Sequence, residues 1–518
     1  MPLSAIAPIR RLRWSGSLLA AIVIAGCGTN PVTKKSEVSF VSEAQEISIG
    51  KQQYLQSQQS AGGKYILDPA LAAYVSEVGQ KLVKVSDRPN LPFEFVIIND
   101  SVPNAWALPG GKLAINRGLL TELKSEAELA AVLSHEIVHA AARHGAKSVE
   151  QGTLLAAGAA IIGAVTADKR NADLIGFAAQ GGAALLSLRY SRDHELEADH
   201  YGIDYMVRAG YDPKAAVELQ ETFVRLSGNK APGWLGGLFA THPPSQERVD
   251  ANRAKAAGLP ATLFRGEDVY RTKIAGLVKS KPAYIAHDDG RKLLAKEPEK
   301  ALAKADEALK AEPREAMFHA LRGDALKKLG RVAEAEHDYS EAIKLNGEFY
   351  AHYLNRGLTR QQQGNTAGAQ SDMERANSLL PTAAAHYVLG NLAQGASNPA
   401  KAIDHYRLAA NSDSEVGKRA GTALVRLDLP RNPTAYVLVE PVADKAGKLA
   451  LRVTNRSPAS LHKLRIAAVA PGFAREYSPS GELKPGQSVL IGMNLRAAEL
   501  GDAANRLRGQ LSGAEVAD

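Results

Sequence analysis

Two histidines and a glutamate in the run His-Glu-Ile-Val-His, residues 135–139, are the side chains best placed to do chemistry. On a helix, His135 and His139 lie one turn apart and project from the same face, so both imidazoles can reach one metal ion. Glu136 lies beside them, where its carboxylate can hold a water molecule and accept its proton. The spacing predicts a site for one Zn²⁺ per chain with Glu136 as the catalytic base. A solvated helix with two incidental histidines is the alternative.

A third metal ligand is expected further along the chain, because catalytic zinc sites usually have three protein ligands and one open position. Glu195 and Asp199 lie one helical turn apart. Glu195 can complete a His₂Glu site, and Asp199 can hydrogen-bond the outer nitrogen of a ligand histidine. Glu197 points about 200° away on that helix, so a surface or structural role is expected for it. His194 and His200 are rival ligands on other faces.

Capping and hydrophobic patterns predict the elements that position these residues. Ser125 has capping-box spacing and opens a helix that runs through the first histidine to about Arg143. Ser42 and Asp68 start two earlier helices. A strand is expected over residues 93–98.

A hairpin is expected to follow that strand, because a Pro-Gly-Gly turn lies between residues 104–108 and residues 112–116. We interpret its first strand as the edge strand that receives substrate. An exposed edge offers unpaired backbone donors and acceptors, to which an extended peptide can add. The alternative is that the strand is paired internally and Trp106 fills the core. The substrate strand comprises Asn104, Ala105, Trp106, Ala107 and Leu108.

The motifs around the predicted zinc helix resemble those of the HtpX and CAAX-protease-like family of gluzincin zinc metalloproteases. This resemblance covers roughly residues 38–255 and implies zinc-dependent hydrolysis of peptide bonds. The shared motifs are His-Glu-Ile-Val-His, Ser-Arg-x-x-Glu-x-x-Ala-Asp at residues 191–199, Asn-Ala-Trp-Ala-Leu-Pro-Gly-Gly at residues 104–111 with Arg-Gly-Leu at 117–119, and Thr-His-Pro-Pro-Ser at residues 241–245 with Arg248 behind it.

His242, in the Thr-His-Pro turn, is assigned as a second catalytic residue. Three roles are open for it. The imidazole can donate a hydrogen bond to the oxyanion of the tetrahedral intermediate, or it can cap the open zinc position in a latent form. It can also stabilise the turn alone.

The single cysteine, Cys27, ends a sequence typical of a secretory signal. Three arginines between residues 10 and 13 precede an apolar run, residues 17–26, which is too short to span a bilayer of ~30 Å. The end of this run resembles the lipobox of bacterial lipoproteins, which implies removal of residues 1–26 and lipidation of Cys27. Because Gly28 follows, we expect an outer-membrane anchor facing the periplasm. A plain signal peptide with an incidental cysteine is the alternative.

Small residues recur at a 34-residue spacing after about residue 282, as expected for tetratricopeptide repeats. The pattern predicts an α-solenoid of three or four repeats over residues 282–414, whose surface is expected to bind a protein partner. The recurring positions are Ala301, Ala335 and Ala369, then Ala308, Ala342 and Ala376, and also Gly323 and Gly357.

The predicted fold is therefore multidomain. A tether at residues 27–41 leads to a mainly α zinc metallopeptidase domain with a small β-sheet, residues 42–262. The α-solenoid follows. Short apolar runs at residues 436–439, 449–453, 464–468 and 489–492 then predict the strands of a small β-sandwich-like domain at residues 432–518. Two apolar stretches between residues 153 and 188 are interpreted as buried helices or a helical hairpin near the active site. A membrane-dipping or substrate-shielding hairpin is the alternative.

The combination of lipobox, protease motifs and repeats resembles BepA-like periplasmic lipoprotein proteases. It implies a lipid-anchored metalloendopeptidase that hydrolyses unfolded or misassembled envelope proteins in outer-membrane protein quality control. The alternative function is a lipid-anchored repeat scaffold or chaperone with a structural or latent zinc site. Nucleic acid is not an expected partner: the formal charge is +8, from 63 basic and 55 acidic residues, and no basic cluster contains interleaved aromatics.

Overall fold

The computed structural model describes residues 27–153, 190–228, 236–260 and 263–517. The chain divides into two compact units, Met1–Phe349 and Tyr350–Asp518. The predicted signal peptide and nearly all of the predicted hairpin at residues 153–188 lie outside the described residues. No helix within the described ranges has the length and apolar character needed to cross a membrane.

The first unit begins with short strands and the helices that surround the predicted site. In chain order these elements are β1 (Cys27–Thr29), β2 (Ser36–Val38), α1 (Glu43–Ser60), α2 (Pro69–Val83), β3 (Glu94–Ile98), β4 (Ala105–Leu108), β5 (Lys112–Asn116), α3 (Arg117–Leu120), α4 (Glu126–Ala141), α5 (Arg192–Arg208), α6 (Lys214–Gly228), α7 (Gly236–Thr241), α8 (Gln246–Ala257) and α9 (Glu267–Lys273).

Side-chain caps start these helices at the predicted residues. Ser42 and Gln45 form a reciprocal capping box at the start of α1. The Asp68 carboxylate accepts a hydrogen bond from the backbone of Leu71, and Pro69 occupies the first turn of α2. Ser125 caps α4 in the same way. Each cap satisfies a backbone N–H that the first helical turn leaves without an intrahelical partner.

The small sheet has the strand order β3-β5-β4, with β3 parallel and β4 antiparallel to β5. Every residue of β4 and β5 is buried, because one face of the sheet lies in a core shared with α2 and α4 and the other face packs with Tyr54 of α1. Leu113 and Ile115 of β5 lie in this core beside Ile137 and Val138 of α4. The sheet therefore supports the helix that carries the two histidines.

Residues 27–41 differ from the predicted tether: β1 and β2 form an antiparallel hairpin packed on the first unit. Val32, at the hairpin turn, is buried in the main core. The carboxylate of Glu150 accepts hydrogen bonds from the backbone N–H groups of Phe40 and Val41, at 2.9 and 2.8 Å. The polar composition of this segment predicted a tether, because it gives no sign of a hydrogen-bond partner such as Glu150, which lies more than 100 residues away in the sequence.

Four longer helices complete the first unit and pack as two helical hairpins. The small residues Ala301, Ala308, Ala335 and Ala342 are fully buried where these helices cross. Tyr284 and Phe318 lie in the same hydrophobic core as α4, so the first repeat helices are continuous with the predicted peptidase region. The four helices are α10 (Ala275–Leu293), α11 (Pro298–Ala311), α12 (Ala316–Lys328) and α13 (Val332–Leu345).

The second unit opens with five further repeat helices. Gly390 packs against the buried ring of Tyr406, as small residues do where repeat helices meet. The series of paired helices begins with α10, before residue 282, and ends with α18 (Glu415–Asp428), after residue 414, so this helical region is longer than the predicted solenoid. The helices are α14 (Tyr350–Gln362), α15 (Thr366–Leu379), α16 (Ala383–Gly395), α17 (Pro399–Ala410) and α18 (Glu415–Asp428).

Two three-stranded antiparallel sheets end the second unit. One has the order β10 (Ser488–Arg496), β7 (Lys448–Asn455) and β6 (Val437–Ala443), and the other has the order β11 (Arg508–Val516), β8 (Leu461–Ala470) and β9 (Phe473–Tyr477). Their inner faces share one core, to which Leu451 and Val453 contribute from one sheet and Leu464 and Ile466 from the other. This arrangement agrees with the predicted β-sandwich. The remaining elements of this region are α19 (Pro433–Tyr436), α20 (Ala497–Leu500) and a 3₁₀ turn (Gly501–Arg506).

Candidate active site

Helices α4 and α5 pack against each other and bring the predicted ligands together. The Nε2 atoms of His135 and His139 lie 3.1 Å apart. The Glu195 carboxylate approaches both rings, with its oxygens 3.4 Å from each Nε2 atom. The i, i+4 spacing on α4 thus places both imidazoles on one face, and α5 presents a carboxylate to that face.

A fourth side chain, that of His242, completes this cluster. Its Nδ1 atom lies 3.1 Å from Glu195 Oε1 and 3.3 Å from His135 Nε2. Its Nε2 atom lies 3.5 Å from Glu136 Oε1. The turn between α7 and α8, which carries Pro243 and Pro244, holds this buried imidazole over the site.

The donor set fits a zinc ion. One ligand atom from each of His135, His139, Glu195 and His242 lies within 4.8 Å of the other three. Nitrogen and carboxylate oxygen donors in a compact group are those that Zn²⁺ prefers. Glu136 Oε2 is buried and has no hydrogen-bond partner among the described residues. A buried carboxylate oxygen left unpaired beside a metal-ligand cluster suits a base that awaits a water molecule.

A second layer of polar side chains orients the cluster. The His135 Nδ1 atom lies 2.9 Å from Asp199 Oδ1, as predicted for the outer nitrogen of a ligand histidine. Arg248 on α8 donates to both oxygens of Asp199, and its Nη1 atom also lies 2.9 Å from Glu195 Oε2. One guanidinium group thus compensates two buried carboxylates.

Burial changes the pKa values of the acidic and basic groups of the site in opposite directions. It raises the pKa of Glu136 above the ordinary value, which favours a group that must accept a proton. Burial also lowers the pKa of His139 well below its ordinary value. For His135, burial acts in the same direction, but hydrogen bonds to Asp199 and Glu195 prevail and raise the pKa to about 10. A metal ion that binds here must displace that proton.

A small cavity of about 50 Å³ adjoins Glu136 and the first ligand histidine. Apolar side chains form much of its wall, which accounts for the desolvation of the Glu136 carboxylate. These wall residues include Ile203, Met206, Leu219 and Phe223.

The rival ligands predicted on α5 do not join the cluster. His194 stacks on His144, with ring centroids 4.1 Å apart, and His200 is exposed beside Lys255. Glu197 is not a plain surface residue, because its carboxylate lies 3.2 Å from His144 Nε2. The helical rotation of Glu197 away from the metal cluster was correctly expected, but its partner His144 was missed.

Tyr190 contacts the candidate site, which the sequence did not predict. Its ring stacks on His139, with centroids 3.9 Å apart and planes inclined by 19°. Its hydroxyl group lies 3.4 Å from the carbonyl oxygen of Ala107. Tyr190 immediately precedes the Ser-Arg motif, and that position is the only sequence signal that could have drawn attention to it.

Strand β4 pairs with β5 and with no other strand in the described parts of the chain. Asn116 N–H donates to the Asn104 carbonyl oxygen at 2.8 Å, so the backbone of Asn104 faces β5. In an antiparallel ladder the backbone direction alternates, which turns the N–H and C=O groups of Ala105 and Ala107 away from β5. All four residues of β4 are buried, and Trp106 lies in a core cluster with Ala114 and Tyr54, as the alternative interpretation of this strand expected for that residue.

Comparisons with known proteins agree with this geometry. Residues 69–256 match the model of Peptidase family M48, and residues 318–349 match a tetratricopeptide repeat model. The family predicted from the zinc motifs is thereby confirmed for the peptidase region.

Curated relatives share the same region. A putative beta-barrel assembly-enhancing protease from Vibrio cholerae is 33% identical over 206 residues, which are 38% of this chain and 41% of the relative. The mitochondrial metalloendopeptidase OMA1 of Arabidopsis thaliana is 35% identical over 192 residues, 36% and 37% of the two chains. The Escherichia coli beta-barrel assembly-enhancing protease is 28% identical over 255 residues, 47% and 51%. The matched region thus spans between a third and about half of each of these relatives.

Among solved structures, MamA from Desulfovibrio magneticus RS-1 covers 29% of this chain and 86% of its own length. The sequence identity is 21% and the TM-score is 0.27.

Proposed function

We propose that the protein is a zinc-dependent metalloendopeptidase, because residues 69–256 match the model of Peptidase family M48. One observation carries the proposal. The buried carboxylate of Glu136 has an oxygen without a partner among the described residues, and it lies beside a compact set of metal-ligating side chains. Base and ligands in this arrangement are what hydrolysis of a peptide bond by a metal-assisted mechanism requires.

In this proposal His135, His139 and Glu195 hold one Zn²⁺. The ion, when bound, supplies a Lewis acid that polarises the scissile carbonyl group and lowers the pKa of water toward ~7. Glu136 accepts a proton from the attacking water molecule and passes it to the leaving amine. Asp199 holds the His135 imidazole with its Nε2 atom toward the ligand cluster.

His242 has a different role in this proposal from the three metal ligands. Its Nδ1 atom faces Glu195 and His135 at 3.1 and 3.3 Å, a position that suits a fourth ligand better than a donor to substrate. A fourth protein ligand closes the position that water and substrate need. We therefore assign the described conformation to a latent form, from which His242 must withdraw before hydrolysis.

The alternative function, a repeat scaffold with a structural zinc site, also has an observation in its favour. Structural zinc sites usually have four protein ligands, and four are present here. A structural site has no use for Glu136, however, and leaving a buried carboxylate oxygen unpaired costs about 1–3 kcal/mol or more. The position of Glu136 therefore favours the enzyme.

We propose unfolded or misassembled proteins as substrates, bound as an added strand at β4. The backbone groups of Ala105 and Ala107, which face away from β5, supply donors and acceptors for an extended peptide. Tyr190 already contacts the Ala107 carbonyl oxygen on that side. Because recognition through the backbone depends little on side chains, this strand suits diverse unfolded substrates, and the repeat helices offer a separate surface for a protein partner.

We also propose an outer-membrane location facing the periplasm, with lipidated Cys27 as the anchor. Two relatives carry names that refer to β-barrel assembly, which supports a role in envelope protein quality control. Membrane fractionation of a bacterial host that expresses the full chain tests the anchor. Cys27→Ser should move the protein from the membrane to the soluble periplasmic fraction, whereas retention in the membrane would contradict lipid anchoring at this residue.

Metal dependence of hydrolysis tests the activity itself. The purified protein should degrade unfolded casein, lose this activity on treatment with a zinc chelator, and recover it when zinc is restored. A preparation with one zinc per chain that leaves casein intact, even after His242→Ala, would favour the scaffold.

A further inference from the structure

The outer nitrogen of the second ligand histidine has a partner of its own. His139 Nδ1 lies 2.9 Å from His144 Nδ1, and both rings are buried. The Nε2 atom of His139 faces His135 and Glu195 in the ligand cluster. When Nε2 binds a cation, the ring proton must lie on Nδ1, so His139 donates and His144 accepts.

His144 meets His139 only because the chain turns sharply after α4. On a continuous helix, residues five positions apart point about 140° away from each other. Arg143 adopts a positive φ of 65°, which ends the helix and turns His144 back toward His139. The Arg143 side chain stabilises this unfavourable conformation by donating to the buried Glu46 carboxylate at 3.1 Å.

The hydrogen-bond chain continues to a carboxylate. His144 accepts through Nδ1, so its own proton lies on Nε2, which is 3.2 Å from Glu197 Oε1. The proton donors therefore run in one direction, from His139 to His144 to Glu197. His194 stacks on the His144 ring, and no hydrogen bond joins it to His139 in the described structure.

We propose that His144 and Glu197 are positioning residues that fix the tautomer and the orientation of the zinc ligand His139. The inference rests on the proposed zinc site and adds a role for two residues outside the ligand set. Asp199 contacts the His135 imidazole directly, whereas Glu197 is linked to His139 through the imidazole of His144. Both ligand histidines are then held by buried or half-buried carboxylates, as metal-binding histidines commonly are.

Zinc affinity of the full-length protein, measured by competition with a chromogenic chelator, tests this role without any assay of activity. His144→Phe keeps the stacked ring and removes the acceptor, so the dissociation constant for zinc should increase about 10- to 100-fold. His144→Gln, whose amide oxygen can still accept from His139 Nδ1, should recover part of the loss. His194→Phe, which keeps the stack and touches no ligand nitrogen, is the matched control and should bind zinc like the wild type.

Coupling between the two residues separates a hydrogen-bond chain from a general effect on the fold. Glu197→Gln alone should weaken zinc binding severalfold, and it should add nothing in the His144→Phe background, because the chain is already broken there. Glu197 is half-buried, so this variant is expected to fold even if His144→Phe does not. Unchanged zinc affinity in Glu197→Gln, or equal losses in both backgrounds, would overturn the proposal.

The same measurements distinguish this proposal from the proposed activity. Zinc binding without casein hydrolysis, in the wild type and in His242→Ala alike, would refute the peptidase, while the affinities of the variants would still decide the role of His144. Wild-type protein that hydrolyses casein, together with variants of unchanged affinity, would refute the positioning role alone.

Discussion

Arg248 donates to both carboxylate oxygens of Asp199, at 2.6 and 2.7 Å, while Asp199 holds the Nδ1 atom of His135. The same guanidinium reaches Glu195 at 2.9 Å. Two predicted metal ligands therefore depend on one arginine from another helix. The planar group of arginine can make such paired hydrogen bonds, and the ammonium group of lysine cannot.

Arg248→Lys should therefore weaken zinc binding about tenfold or more, although the positive charge is retained. Arg253→Lys is the matched control on the same helix, because Arg253 is exposed and pairs only with Glu221 and Asp250 in the described structure. Zinc competition with a chelator measures both. Equal affinities in the two variants would show that the paired geometry at Asp199 does not matter.

His242→Ala should increase the rate of casein hydrolysis, because in the proposed latent form the His242 imidazole occupies the position that water and substrate need. His200→Ala removes an exposed histidine from α5 and should leave the rate unchanged. Initial rates at equal zinc occupancy give the comparison. A loss of 10²-fold or more would instead indicate that His242 donates a hydrogen bond to the oxyanion. An unchanged rate would indicate that it only stabilises the turn. Either result contradicts the latent form.

Ala107→Pro should raise the Michaelis constant for unfolded casein several-fold, since proline removes a backbone donor that faces the proposed substrate. Because Ala107 is buried, the zinc content and the thermal unfolding midpoint of the same preparation must first show that the variant is folded. Steady-state kinetics on the same preparation provide the test. Normal kinetics in a zinc-loaded, folded variant would refute strand addition at β4.

Gly390→Ala should destabilise the second unit by about 1–3 kcal/mol, because the new Cβ atom would lie 2.5 Å from the ring of Tyr406. Gly395→Ala in the same helix has no neighbour within 4 Å and should be neutral or stabilising by up to ~1 kcal/mol. Thermal unfolding followed by circular dichroism compares them. Equal midpoints would mean that close helix packing at Gly390 contributes little.

The sequence predicted the parts of the site that follow from local periodicity. The i, i+4 spacing on α4 placed His135 and His139 on one face, and the Ser125 cap fixed where that helix begins. The strands β6, β7, β8 and β10 were also predicted, because apolar residues mark them. β9 and β11 were missed: three of the five residues of β9 are exposed and only Leu511 of β11 is buried, so neither strand has that pattern.

Contacts between residues that are far apart in the sequence could not be predicted from local periodicity. Glu197 points away from the ligands, as helical rotation predicts, yet the positive φ at Arg143 brings His144 to it. The hairpin of residues 27–41 depends on Glu150, whose position no local pattern reveals. In both cases the contact depends on where the chain reverses its direction. Tertiary packing, rather than the neighbouring residues, determines that point.

The most direct test of the central claim compares zinc content and casein hydrolysis in wild-type protein, Glu136→Gln and Glu195→Gln. In the proposed mechanism Glu136 is the base and Glu195 is a metal ligand, so the loss of each carboxylate should have a different effect. We predict that Glu136→Gln keeps one zinc per chain and loses activity by 10²-fold or more, while Glu195→Gln loses both zinc and activity. Hydrolysis at the wild-type rate by Glu136→Gln, or full zinc retention by Glu195→Gln, would contradict the assignment of this site.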